Sequence, residues 1–325
     1  MPDKKLKVTG ILNNIVLWCN GLTQDTLNVK IVGSSPARTT KLKNMKYKVD
    51  SKIDLSEIKT SEKEDFEINY DFQMDENIKK LSKLQDKLYA QNKYGVLIII
   101  QAMDTAGKDG TIKHVMSGLN PQGTRVHSFK QPSTEEIDHD YLWRACKNLP
   151  ERGTFGIFNR SYYEDVLVVR IHNLLKSQNI PDSDITEDVW KKRFRQIKDF
   201  ERYLYENGII TIKFFLHISK DEQKERLIER IDDPTKNWKF SVGDVKERQY
   251  WEQYQKCYQE AISETSTEYA PWYVIPADKK KHARLAVSQI IIDTLKELKL
   301  EYPIVSPEQI ETLKQIKKQL ESGEI

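Results

Sequence analysis

Cysteine is scarce in this chain, and its spacing excludes two classes of small protein. Three cysteines, Cys19, Cys146 and Cys257, occur in 325 residues, an odd number without C-x-x-C or Cys/His spacing. This pattern argues against a disulfide framework and against a zinc site, and it fits a reducing compartment. We therefore expect a cytoplasmic protein.

Long apolar runs and an excess of one charge are also lacking. No stretch approaches the ~20 apolar residues that a membrane span requires, so we expect no membrane association. Lysine and arginine total 52 against 49 aspartates and glutamates, a formal net charge of +3. Any anion binding must then come from local clusters of Lys and Arg. The six histidines have no metal-ligand spacing, and we find no Ser-His-Asp, glycosidase or nucleic-acid-binding signature.

What the chain does contain is an alternation of strand and helix patterns. With 38% hydrophobic residues, 325 residues suffice for one large α/β domain or two small ones. Helical stretches separate the strands, which predicts right-handed crossovers and a parallel sheet. Apolar spacing from Ile78 to Leu88 predicts a helix before the first strand. The five predicted strands are Val96–Ile100, Thr124–Phe129, Thr154–Phe158, Ile210–Ile218 and Trp272–Pro276.

The first strand leads into a loop that is typical of phosphate binding. The run Gly95-Val-Leu-Ile-Ile-Ile100 has the continuous apolar character of a buried parallel strand. It continues into Gln101-Ala-Met-Asp-Thr-Ala-Gly-Lys-Asp-Gly110 and a predicted helix. A loop that ends in Gly107-Lys108 at a helix start turns backbone N–H groups and one ammonium toward a phosphate.

This loop departs from the common G-x-x-x-x-G-K-[ST] pattern at two positions. Ala102 takes the first glycine position, and Asp109 replaces the hydroxyl residue that usually binds Mg²⁺. Asp104 is a second carboxylate, suited to hold Mg²⁺ and to face the transferred phosphoryl group. The alternative is an ordinary glycine turn with Asp104 and Asp109 as solvated acids. The strand before the loop and the helix after it favour phosphate binding.

Polar residues after the third strand form a second candidate cluster, Phe158-Asn-Arg-Ser-Tyr-Tyr-Glu-Asp165. Ligands of open α/β sheets bind at the carboxyl ends of the strands, so this segment should face the phosphate loop. Arg160 is suited to clamp a phosphate, and Glu164 and Asp165 to hold a metal or orient the acceptor. The alternative is a helix start that favours acids for dipole reasons, with Arg160 paired to them.

A third cluster is basic and lies within Glu222–Tyr254. Its pattern predicts a helix–loop–helix lid whose cations close over a polyanion and exclude water. The alternative is two solvated helices with ion pairs to interspersed glutamates. The basic residues are Arg226, Arg230, Lys236, Lys239 and Arg248. Asp278 and Lys279 follow the fifth strand, at an edge where sites gather.

These motifs together resemble the type-2 polyphosphate kinases, most closely their third class, over about Met45 to Tyr302. The matching segments, in order, are 101–111, 158–170, Trp238-Lys-Phe240 with Asp244 and Arg248, and 265–276. The resemblance implies a P-loop kinase fold of thymidylate-kinase type: three α/β/α layers, a five-stranded parallel sheet and a helical lid. It implies Mg²⁺-dependent transfer of the terminal phosphoryl group of inorganic polyphosphate to a nucleotide, with Mn²⁺ as the alternative metal, by a homo-oligomer (dimer or tetramer).

Carried over residue by residue, the resemblance implies catalytic roles for Asp104, Lys108, Arg160 and Asp165, with Asp104 and Asp165 holding the metal. It implies nucleotide binding by Asn159, Tyr162 and Glu164. The implied phosphate-binding residues are Ala106, Gly107, Lys108, Asp109, Gly110, Arg226, Arg230, Lys236, Lys239 and Arg248.

The third-strand segment also bears on the acceptor. Family members restricted to nucleoside diphosphates carry an Asp-Arg-Ser-Trp-Tyr-Asn-Arg type segment, whereas this chain has Asn159 and Glu164-Asp165. The difference implies that both AMP and ADP are accepted, and it leaves open which acid holds the metal. Two other functions remain: an ATP-dependent nucleoside monophosphate kinase, and a non-catalytic module that binds polyphosphate.

The expected domain organisation has three parts. Residues 1–44 lie outside the resemblance and are expected to be a poorly ordered extension. Residues 45–302 form the P-loop domain, with the lid at about 222–254, and 303–325 form a helical tail.

A chain that begins at Met45 should therefore match the full chain. Residues 1–44 lack a sustained apolar period, and a segment that buries little apolar surface does not offset its ordering entropy. We expect the same kcat and a melting temperature within about 4 °C of the full chain. A larger drop by calorimetry would mean that the segment packs on the core.

Overall fold

A computed structural model describes residues 47–62 and 69–325, so the predicted extension 1–44 lies outside the described residues. A five-stranded parallel sheet forms the centre, in the order β2-β3-β1-β4-β5. The strands are β1 (Gly95–Ala102), β2 (Thr124–Ser128), β3 (Phe155–Asn159), β4 (Ile209–His217) and β5 (Trp272–Pro276). All eight residues of β1 are buried, because strands flank it and helices cover both faces.

Eleven α-helices are present among the described residues. They are α1 (Tyr70–Gln91), α2 (Lys108–Val115), α3 (Thr134–Ile137), α4 (Trp143–Cys146), α5 (Val168–Ile171), α6 (Val189–Glu206), α7 (Lys220–Asp232), α8 (Val242–Glu247), α9 (Trp251–Thr265), α10 (Lys280–Glu297) and α11 (Pro307–Ser322). Short 3₁₀ turns occupy Pro121–Gly123, Tyr162–Val166, Leu174–Gln178, Asp182–Asp184, Asn237–Lys239 and Arg248–Tyr250.

The helices form two layers around the sheet. Helix α10 packs against α1 and α2, while α6 packs against α9 and β4. The predicted three-layer α/β/α architecture is confirmed. Every predicted strand is present, with ends displaced by no more than two residues. Helix α1 begins at Tyr70, earlier than its apolar stripe, because the Asn69 side chain accepts a hydrogen bond from Phe72 N and caps it.

Residues 220–250 cover most of the segment predicted to form a lid (about 222–254), and we call them the lid. They comprise α7, the turn Asn237–Lys239, α8 and the turn Arg248–Tyr250. The tail helix α11 is exposed along its length and starts at a capping box formed by Ser306 and Gln309.

One ion pair is fully buried in the core. Lys213 on β4 donates to Glu201 on α6 at 2.5 Å, and neither side chain is exposed. Glu201 also accepts hydrogen bonds at 2.9 Å from the hydroxyls of Tyr162 and Tyr163. The pair therefore anchors the segment that follows β3 to the sheet and to α6.

Candidate active site

The phosphate loop, residues 102–108, connects β1 to α2 at the carboxyl edge of the sheet. Thr105 (φ 66°) and Gly107 (φ 101°) both adopt the left-handed region that favours glycine, and Gly107 caps α2. Lys108 is buried and donates to the carbonyls of Ala102 at 2.9 Å and Met103 at 3.3 Å. Burial lowers its pKa, and the nearby carboxylate of Asp104 opposes that shift.

Arg160 joins the end of β3 to this loop. It has a positive φ of 62°, and its backbone N–H donates to Ile100 O at 3.1 Å. Its guanidinium donates to Asp104 Oδ1 at 2.7 Å, while Lys108 Nζ lies 4.0 Å from the same oxygen. The carboxylates of Glu164 and Asp104 raise the pKa of Arg160 against the opposing effect of burial. One carboxylate thus holds two cations at the mouth of the loop.

The two acids after β3 face different surroundings. Glu164 interacts electrostatically with Arg160 and Lys108, and burial raises its pKa. The Asp165 carboxylate accepts a hydrogen bond from Gln178 at 2.5 Å and lies 3.8 Å from Arg193 and 4.0 Å from Arg144. Burial raises the pKa of Asp165 to about 6, although both arginines oppose this.

The structure contradicts the expectation that Asp104 and Asp165 share one site. Asp104 lines a cavity bordered by the phosphate loop, which we call the phosphate cavity. Asp165 lines a second cavity, and the two have no lining residue in common. The reason is the 3₁₀ geometry of Tyr162–Val166: with three residues per turn, consecutive side chains point about 120° apart. Of the two acids, Glu164 is the one that interacts with Lys108 and Arg160.

One nucleotide-binding expectation, that for Tyr162, also needs revision. Tyr162 is fully buried, and its hydroxyl donates to Glu201, so it is a core residue and not a ligand contact. Asn159 lines the phosphate cavity and donates to Asp109 Oδ1 at 2.7 Å. Asp109 therefore holds the end of β3 to the first turn of α2.

One lid residue that was expected to bind phosphate, Arg226, instead makes hydrogen bonds within the protein. Arg226 is 4% exposed, and all five of its N–H groups are engaged within the protein. The acceptors are Glu222 Oε1, Thr105 O, Ala106 O, Ala277 O and Asp278 O, at 2.6–3.2 Å. Although Arg226 borders the phosphate cavity, it braces the loop and has no N–H left for a phosphate.

The other expected lid cations divide into two groups. Arg230 donates to Asp244 at 3.0 Å, Lys236 is 2.8 Å from Glu229, and Lys239 lies 4.9 Å from the Trp238 ring centroid; all line the phosphate cavity. Arg248 instead donates to Lys220 O and Gln223 Oε1 and does not line the cavity.

The phosphate cavity has a volume of about 700 Å³ and a strongly positive lining. Nine Lys and Arg side chains border it against four Asp and Glu side chains. Lys130, Lys280 and Arg284 belong to this lining and were not expected from the sequence. Lys280 and Arg284 are spaced i,i+4 at the start of α10, directly after β5, and this position was the one signal that could have identified them.

The second cavity, of about 460 Å³, lies on the other side of residues 159–166, which we call the β3 segment, and it was not predicted from the sequence. Arg144 and Arg193 are 6% and 4% exposed and converge on Asp165 at its wall. Arg193 lies 4.7 Å from the Tyr141 ring centroid. The lining residues are Pro132, Glu136, Ile137, His139, Asp140, Tyr141, Arg144, Asp165, Gln178, Ile180, Asp184, Val189, Lys192, Arg193 and Gln196.

The described part of the chain was searched for groups of metal ligands and for membrane-spanning helices. Within residues 47–62 and 69–325, no three His, Cys, Asp or Glu side chains gather as a metal-binding group. No helix in the same ranges is long and apolar enough to cross a bilayer.

Comparison with known proteins identifies close relatives. A family model described as Polyphosphate kinase 2 matches residues 64–303. An ADP-polyphosphate phosphotransferase of Rhodopseudomonas palustris is 53% identical over 245 residues, covering 75% of this chain and 85% of the relative. An AMP/ADP-polyphosphate phosphotransferase of Meiothermus ruber is 52% identical over 225 residues, covering 69% of this chain and 80% of the relative. A crystal structure of polyphosphate kinase 2 from Arthrobacter aurescens superimposes with a TM-score of 0.75 at 39% identity, covering 82% of this chain and 94% of that chain.

The raised pKa of Asp165 predicts a pH-dependent stability difference. At pH values between 3.8, the ordinary pKa of an aspartate, and about 6, Asp165 binds a proton in the native state but not in the unfolded chain. Asp165 therefore stabilises the fold increasingly as pH falls from 7 to 5, and this contribution is lost as pH rises through 6. In urea unfolding, the difference in free energy of unfolding between wild type and Asp165→Asn should shift in favour of wild type by about 1 kcal/mol from pH 7 to pH 5. Asp182→Asn, an exposed control, should show no such change; a pH-independent difference for Asp165→Asn would contradict the prediction.

Proposed function

The chain belongs to the polyphosphate kinase 2 family, and from that premise we propose that it transfers phosphoryl groups from inorganic polyphosphate to nucleoside mono- and diphosphates, converting AMP to ADP and ADP to ATP. The observation that carries the proposal is the pair of cavities on either side of the β3 segment. The larger, strongly positive cavity suits a long polyanion. The smaller cavity, with two buried arginines and an aromatic wall, suits a nucleotide.

The phosphate loop supplies the donor side of the reaction. Backbone N–H groups at the start of α2 and the Lys108 ammonium bind the terminal phosphates of polyphosphate. Arg160, already aligned by Asp104, stabilises the negative charge that develops on the transferred group. The lid cations Arg230, Lys236 and Lys239 hold the chain further from the reaction centre, together with Lys130, Lys280 and Arg284.

The second cavity supplies the acceptor side. Arg144 and Arg193 bind the acceptor phosphates, because buried guanidinium groups are strong donors to phosphate oxygens. Asp165 and Gln178 align the two arginines, so we assign Asp165 a positioning role here in place of the metal role. Asn159, the last residue of β3, lines the larger cavity, and Glu164, in the turn that follows, interacts electrostatically with Arg160 and Lys108.

Family members generally need a divalent metal, and we propose that it is Mg²⁺, with Mn²⁺ as the second candidate. Mg²⁺ keeps several waters and takes one or two carboxylates together with substrate phosphates, so one well-placed carboxylate of the protein suffices to hold it. Asp104 is the carboxylate best suited to it, because it lies at the mouth of the loop. The metal would neutralise charge on the phosphate oxygens.

The ATP-dependent monophosphate kinase is the less favoured alternative. Such enzymes hold Mg²⁺ with the hydroxyl after the loop lysine. Here Asp109 occupies that position and is bonded to Asn159. A non-catalytic binding module would not need the Asp104–Arg160 pair beside the loop lysine. We also propose a cytoplasmic location, on the basis of the cysteine content, and a homo-oligomeric assembly, as the resemblance implies.

Purified protein should convert AMP to ADP and then to ATP with polyphosphate as the sole phosphoryl source. Reactions would contain protein, AMP, divalent metal and long-chain polyphosphate, with nucleotides separated by chromatography. Asp104→Asn should lower kcat by at least about 100-fold, because it misaligns Arg160 and removes the metal carboxylate. Formation of ADP without ATP would show that nucleoside diphosphates are not accepted. Turnover only with added ATP would favour the ATP-dependent monophosphate kinase.

Cations of the larger cavity should govern polyphosphate binding specifically. The double variant Lys130→Gln/Lys239→Gln should raise the KM for polyphosphate several-fold and flatten its salt dependence, while the KM for AMP stays within about 2-fold. The salt argument applies to polyanions by analogy with nucleic acids. The matched control is Lys224→Gln/Lys246→Gln, which changes charge equally at lid positions outside the cavity. Equal effects of the two double variants would place the polyphosphate path elsewhere.

A further inference from the structure

A segment that precedes the matched family residues lies along the sheet edge and contacts Asp278, which follows β5. We name residues 47–62 the strap. Val49 N donates to Trp272 O, and Val274 N to Tyr47 O, both at 2.9 Å, so the strap pairs with the outer edge of β5. Leu55 is 3% exposed, and its carbonyl oxygen is hydrogen-bonded to Nε2 of His217 at the end of β4. The strap is therefore an integral part of the domain, although the family match begins only at residue 64.

Thr60 in the strap makes two hydrogen bonds with Asp278. Asp278 N donates to Thr60 O at 3.0 Å, and Thr60 Oγ1 donates to Asp278 Oδ2 at 2.6 Å. The other carboxylate oxygen, Asp278 Oδ1, accepts a hydrogen bond from Ser219 N at 2.8 Å. Ser219 is the N-cap of α7, so Asp278 ties together the strap, the end of β5 and the first turn of the lid.

Arg226 continues this connection from Asp278 to the phosphate loop. One guanidinium nitrogen donates to the carbonyls of Ala277 and Asp278, and the other to those of Thr105 and Ala106. These bonds fix the positions of the two loop carbonyls relative to Arg226. Thr105 requires such support because its φ of 66° is unfavourable for a β-branched residue.

We propose that the strap positions the phosphate loop for catalysis, and that Thr60 and Asp278 are positioning residues that act through Arg226. Neither residue lines the phosphate cavity, so neither touches the substrate. Loss of the Thr60 hydroxyl frees Asp278 to reorient, which displaces the carbonyls that Arg226 grips and then the loop. Displacements of about 1 Å at a phosphoryl-transfer site are costly, on the order of 100-fold in rate. The kinetic readout of this inference rests on the proposed function, whereas the exchange readout below does not.

The test compares Thr60→Val, which keeps the shape and removes the hydroxyl, with Thr60→Ser, which retains it. Hydrogen exchange should be at least about 10-fold faster in loop residues 103–107 of Thr60→Val, with strand 124–128 unchanged. In polyphosphate assays its kcat should fall at least about 5-fold while the KM for AMP stays within about 2-fold. Thr60→Ser should behave as wild type, and so should Ser56→Ala, an exposed strap control whose hydroxyl donates a hydrogen bond to Asp54.

Asp278→Asn provides an independent second variant, and Arg226→Lys tests the path. If Thr60 acts through Arg226, the combined Thr60→Val/Arg226→Lys variant should lose less activity than the product of the single losses. Wild-type loop exchange in both Thr60→Val and Asp278→Asn would overturn the proposal, as would equally accelerated exchange in the loop and in strand 124–128. Absence of polyphosphate-dependent turnover in wild type would overturn the proposed function and leave the exchange test to decide the strap's role.

Discussion

The central constraint on this structure is the crowding of positive charge in one cavity. Nine cationic side chains line the phosphate cavity. Like charges within one cavity repel each other unless a counter-charge or a carbonyl dipole offsets each of them. Arg160 is held by Asp104, Arg230 by Asp244, and Lys236 by Glu229 and Asp233. Lys108 is held by carbonyls of its own loop. The cavity thus stays organised before a polyanion enters.

The buried ion pair solves a second problem, that of placing two neighbouring acids on opposite sides of one segment. The hydroxyls of Tyr162 and Tyr163 both bond Glu201, which fixes the 3₁₀ turn against the sheet. Lys213 neutralises Glu201 in a region without water access. A buried pair of this kind adds little net stability, but the removal of one partner leaves an uncompensated charge. Its value here lies in fixing which way Glu164 and Asp165 point.

Local signals were sufficient for much of the site. The apolar run before the loop, the Gly107-Lys108 pair and the position of Arg160 after β3 all identified the phosphate-binding edge, and Asp104, Lys108 and Arg160 do meet there. The errors arose where a residue's partner is distant in sequence. Arg226 has the charge of a phosphate ligand, yet two of its carbonyl acceptors, Ala106 and Ala277, lie 120 and 51 residues away along the chain. Tyr162 lies within the matching motif, but its side chain points into the core.

The sequence by itself determined the order of strands and helices, the phosphate loop and the family resemblance, because each depends on spacing along the chain. Tertiary structure decided which cations remain available to a ligand, which of two adjacent acids faces the loop, and where the second cavity lies. Its walls come from α3, α4, the turn Tyr162–Val166, the turns 174–184 and α6, five segments that no local pattern connects. Packing brings them together, and burial then sets their charge and hydrogen bonding.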